Sequence, residues 1–106
     1  MQITEEVYPA AEALEQIGKQ TEAKVLHAMV GDSVSAVARE NAVAVWMEIY
    51  KYERPKGVAL LKQAEHKLDT EAAKQKLKVA VETAIKYCDV ETEKSACEAA
   101  ARTGVA

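Results

Sequence analysis

Phenylalanine is absent from this chain, tryptophan occurs once, and its 106 residues include only four glycines and two prolines. Each shortage excludes something. An all-β sandwich or barrel turns about every 8–12 residues through Gly- and Pro-rich clusters, and so few of these residues cannot supply the turns. No uncharged run approaches the ~20 residues needed to cross a bilayer; Val25–Gly31 and Asn41–Met47 fall far short. The opening Met1-Gln2-Ile3-Thr4-Glu5-Glu6 is acidic, without the basic start and apolar centre of a signal peptide, so the expected location is the cytoplasm. A net charge of −3 argues against an obligatory surface for nucleic acid or anionic lipid.

Recognisable chemistry is also missing. There is no Gly-rich phosphate loop, Cys-x-x-Cys, Cys-x-x-Cys-His or His-Glu-x-x-His. A di-iron bundle needs Glu-x-x-His twice, but Lys24 precedes His27 at that spacing and Gln63 precedes His66. His27 on a mostly apolar helix reads as a packed side chain, and His66, between Glu65 and Lys67, as solvated surface. The two histidines and three methionines have no spacing that selects a haem pair. Cys88 and Cys97 would point to opposite faces of an unbroken helix, ~13 Å apart along its axis. A chain reversal at Asp89-Val90 would let them meet, but the cytoplasmic reading favours free buried thiols. Both Cys and both His together lack the spacing of a zinc site. No cofactor, metal site or catalytic residue is expected. Glu12, Glu40 and Glu48 border apolar stripes as ordinary helix flanks.

What the sequence does have is alanine and helical periodicity. Apolar residues make up 49% of the chain and charged residues 29%, a globular balance. One domain of this length buries about 65% of its unfolded surface and needs no staple. Val7, Ala10, Leu14, Ile17, Thr21, Val25 and Ala28 mark one face of a helix opened by Pro9. Gly18 leaves open whether residues 8–30 form one helix or two. Gly31-Asp32-Ser33 reads as a C-cap glycine followed by two N-cap residues. Val34, Ala38, Ala42, Val45, Ile49 and Tyr52 form the cleanest stripe and predict a second helix stopping near Glu53, before Pro55. Pro55 opens a shorter helix with Val58, Leu61, Ala64 and Leu68. Asp69-Thr70-Glu71 starts a helix whose stripe is Ala73, Leu77, Ala80, Ala84 and Cys88. A weaker Ala-rich segment ends at Gly104. The predicted fold is all-α, an antiparallel bundle of four main helices plus a short C-terminal one, as a single domain over residues 1–106.

Two surfaces suggest partners. Besides its core stripe, the second helix carries Val43, Met47 and Tyr50, with Trp46 one turn before Tyr50. A helix apolar over more than half its circumference is either central in its own fold or buries the excess against a partner. Trp46, Tyr50, Met47 and Val43 are therefore the candidate partner-binding set, Trp and Tyr being enriched at interface hot spots. The second surface is basic. Residues 51–88 hold nine basic and five acidic side chains, whereas residues 1–50 hold three and eight. Lys74, Gln75 and Lys78 share a face there, as a nucleic-acid reader would, but the turn before them is short and lacks Gly. The spacing of Lys78, Glu82 and Lys86 is also that of a solvated, salt-bridged face. The composition matches small acidic inhibitors, antitoxins and immunity proteins. The expected function is thus non-enzymatic binding to another protein or to a second copy, with a nucleic-acid module or a small helical enzyme or cofactor carrier as alternatives.

Overall fold

A computed structural model describes residues 12, 20–31 and 33–105. Val7, Pro9, Ala10, Leu14, Ile17, Gly18 and Asp32 lie outside the described residues, and with them the question of one or two helices before Val30. The described residues form no strand and five α-helices: α1 (Gln20–Val30), α2 (Ala36–Ile49), α3 (Arg54–Ala64), α4 (Glu71–Lys86) and α5 (Glu91–Thr103). The helices pack on one another as an all-α bundle. None is long and apolar enough to cross a membrane.

Local chemistry sets most of the boundaries. α1 ends where the Gly31 N–H donates to the His27 carbonyl (3.0 Å). Arg39 then reaches back from α2: its Nε donates to the Met29 carbonyl (2.6 Å) and its Nη2 to Val34 (3.2 Å). This places a cation on the negative end of α1. The cap of α2 is Ser35, whose Oγ accepts from the Ala38 N–H (3.1 Å), so α2 starts later than Asp32 or Ser33 would have begun it. Pro55 stands in the first turn of α3, and a 3-10 turn, Glu65–Lys67, extends that helix. Thr70 caps α4 through the Ala73 N–H (3.2 Å), with Glu71 in its acidic first turn. Gly104 closes α5 in the left-handed conformation (φ 72°), its N–H on the Ala100 carbonyl (2.7 Å). A Cβ there would be strained, which is why glycine ends the helix.

The core departs from expectation in three ways. First, α3 is buried beyond its predicted stripe: Gly57, Val58, Ala59, Leu60, Leu61 and Ala64 all lie inside. Second, α5 is no short appendage. It has 13 residues, and its packing on α3 is the most extensive helix pairing among the described residues. Cys97 and Ala100 are its buried contacts, and Gln63 of α3 donates to the Gly104 carbonyl (2.7 Å). Third, Cys88 and Cys97 are joined by a disulfide. The free thiols expected of this pair give way because the chain does reverse between α4 and α5. In α4 the sequence and structure agree, with Ala73, Leu77, Ala80 and Ala84 buried, and Cys88 just past the helix buried as well.

Candidate functional site

Two places stand out from the rest of the described surface: the outer side of α1 and α2, and the polar corner where α3, α4 and α5 meet.

On α2 the structure turns inward the face that the sequence analysis offered to a partner. Val43, Trp46, Met47 and Tyr50 are the buried ones. The Trp46 and Tyr50 rings lie 5.2 Å apart between centroids, inclined at 44°. The indole Nε1–H donates to the carbonyl of Gly57 (3.1 Å), so the one polar atom of the ring is satisfied inside the core. The absence of a side chain at Gly57 makes this approach possible, since a Cβ there would stand 2.9 Å from Tyr50 Cδ2. The expected partner-binding set is thus interior in the single chain.

Of the stripe expected to be core, Ala42 is buried, but Ala38, Val45, Ile49 and Tyr52 turn outward, as does Val37. Val37, Val45 and Ile49 are 68%, 50% and 41% exposed, and Tyr52, just past the helix, is 89% exposed with Lys51 Nζ over its ring at 5.2 Å. Ala38, Ala42 and Val45 form one wall of a shallow groove, and Lys24, Val25 and Ala28 of α1 form the other. Its lining is almost wholly apolar, with Asn41 and Lys24 as the polar members. Each of these two helices therefore has two apolar faces. Ala23, Leu26, Met29 and Val30 of α1 and the aromatic face of α2 enter the core, and Val25 and Ala42, at the edge of that core, form the floor of the groove with Ala28 and Val45 beside them.

The polar corner is organised by Arg54 at the start of α3. Its side chain is only 16% exposed. Nη1 donates to the Tyr87 carbonyl, to Asp89 Oδ2 (2.8 Å) and to Glu93 Oε1 (3.5 Å). The hydrogen bond that Arg54 donates to Asp89, then the charges of Asp89 and Glu93, raise its pKa above the ordinary arginine value against the opposing effect of burial. That shift favours the charged form. Its contribution to stability is fully present below the ordinary arginine value and is lost only in strong alkali, so the guanidinium stays charged throughout the neutral range. Beside it, Cys88, Glu93 and Cys97 place one ligand atom each within 4.8 Å of one another.

The remaining candidates are dispersed. Lys74 forms a 3.8 Å ion pair with Glu71, and Gln75 and Lys78 are exposed on α4. Lys78 shares the rim of a cleft with Glu82, Lys62 and Glu65, so acids interrupt the basic row. Among the described residues, neither the half-buried His27 nor the exposed His66 belongs to a group of three potential metal ligands. Glu12, Glu40 and Glu48 are exposed on helices. No protein-family model matches this chain, and no curated protein and no solved structure matches it either.

Proposed function

We propose that this chain is a non-enzymatic helical binding protein, and that the surface it offers is the outer side of α1 and α2. The observation behind this reading is the exposed row Val37, Val45 and Ile49, continuous with the apolar groove between the two helices. Exposed valine or isoleucine is unremarkable singly, but several large apolar side chains along one helix beside a shallow apolar groove suit the apolar face of a partner helix. Lys24 on one rim and Glu40 and Glu48 on the exposed part of α2 would orient such a helix. The cytoplasmic location read from the sequence belongs to this proposal and implies that the Cys88–Cys97 pair meets reducing conditions.

The test is the double variant Val45→Asp with Ile49→Asp. Both sites are exposed, so the helical spectrum and melting temperature should stay near those of the parent. Association, whether with itself in sedimentation or with a captured and identified partner, should fall by thirtyfold or more, the effect of losing about 2 kcal/mol. Unaltered association in the folded double variant would rule this surface out. The nucleic-acid alternative is tested by a salt-sensitive gel shift that responds to Lys74→Ala with Lys78→Ala.

A further inference from the structure

We infer that the reduced form of this protein binds one soft divalent cation of the zinc class through Cys88, Glu93 and Cys97. The inference does not depend on the partner surface, which lies on other helices. The residues come together for reasons already described. Glu93 and Cys97 are four apart on α5 and so share one face of that helix, and the reversal after α4 returns Cys88 to the same place. Their ligand atoms all lie within 4.8 Å of one another. Two thiolates and a carboxylate are ligands that a tetrahedral zinc-class ion accepts, and a water would complete the four.

The disulfide accounts for the two sulfurs and the ion pair with Arg54 for the direction Glu93 takes, and together they set a carboxylate beside the two sulfurs. A carboxylate in the first turn of a helix ordinarily extends into water, as the neighbouring Glu91 does. The Glu93 side chain instead is 26% exposed and lies between the sulfurs and Arg54. Arg54 would have two effects on a bound ion. Its Nη1, 3.5 Å from Oε1, would orient the carboxylate and leave the second oxygen for the metal. Two thiolates and one carboxylate around a divalent ion leave one negative charge, which the guanidinium offsets in a largely buried setting. Cys97 is fully buried and Cys88 nearly so, so the ion would enter past Glu93.

The disulfide makes this site redox-gated. A phosphine reductant attacks one sulfur and breaks the S–S bond. Water then supplies the oxygen of the phosphine oxide and the two protons, giving two thiols. The cation displaces both thiol protons as the two metal–sulfur bonds form. Metal binding thus opposes reoxidation, because the same electron pairs cannot serve both bonds.

The experiment titrates Cd2+ into the full chain at neutral pH, with and without phosphine reduction, following ultraviolet thiolate-to-metal charge transfer and proton release. The reduced protein should bind one equivalent, release about two protons per ion and melt at a higher temperature in the presence of metal. The disulfide form should show no charge-transfer band. Glu93→Gln, which keeps a polar group beside Arg54 and should fold normally, should weaken binding tenfold or more. Cys97→Ser should abolish the one-equivalent band. No saturable band in the reduced protein, half an equivalent bound between two chains, or equal affinity in folded Glu93→Gln would each overturn the inference.

Discussion

Gly57 leaves room for two rings. Trp46 donates to its carbonyl, Tyr50 covers its Cα, and a methyl group at that position would meet Tyr50 Cδ2 at 2.9 Å and Trp46 Nε1 at 3.1 Å. Alanine is the better helix former, so an exposed helical glycine would be stabilised by this change. Here the steric term is larger, because both rings are buried and have little freedom to move aside. Gly57→Ala is expected to lower stability by about 1–3 kcal/mol, the usual cost of overpacking a filled core. A thermal melt checks the sign, and a variant as stable as the parent would mean that the aromatic pair is not packed on α3 as described. The sequence contained no trace of this contact. Trp46 and Gly57 are 11 residues apart on different helices, and a backbone carbonyl leaves no mark on residue identity. The same holds for Arg54, whose partners Tyr87, Asp89 and Glu93 lie 33 to 39 positions away.

The helices themselves were largely legible, because caps and breakers are local. Thr70, Pro55 and Gly104 act where the sequence places them, and α4 buries the predicted stripe. What periodicity could not decide is which of two apolar faces turns inward. On α2, Ala38, Ala42, Val45 and Ile49 satisfy the helical repeat as well as Val43, Trp46, Met47 and Tyr50 do. A core without Phe draws in the three largest side chains of the helix, Trp46, Met47 and Tyr50; Val43 goes in with them by position, and Val45 and Ile49 are left at the rim. A pair of substitutions separates the two kinds of face. Leu77→Asp on α4 puts an unpaired charge where the side chain is 1% exposed, and should cost more than about 4 kcal/mol or prevent folding. Urea denaturation reads this directly. A midpoint within error of the parent would show that the buried face of α4 has been wrongly assigned. The aspartates at Val45 and Ile49, by contrast, enter a wet surface.

At the scale of the molecule, the disulfide closes a short loop, Cys88 to Cys97 being nine positions apart. Chain entropy for such a loop corresponds to about 2–3 kcal/mol. Reduction should therefore lower the melting temperature by roughly 10 °C at this chain length. It should not release α5, which is also held by its packing on α3, by Arg54 and by the Gln63–Gly104 hydrogen bond. Circular dichroism of the metal-free reduced protein should remain fully helical at room temperature. Loss of the α5 fraction of the signal would show that the covalent bond alone retains that helix.

The pairing of α3 with α5 also sets the order of events during synthesis. α3 is buried over five consecutive residues, 57–61, and the helix that covers it most extensively arrives late, Gln63 and Gly104 being 41 residues apart. At about 5–20 residues per second, that interval lasts roughly 2–8 s, far longer than a helix or a small bundle needs to form. For those seconds the nascent chain presents Val58, Leu60 and Leu61 without their final cover. The burial of α3 is thus completed only once the last helix of the described chain has been made.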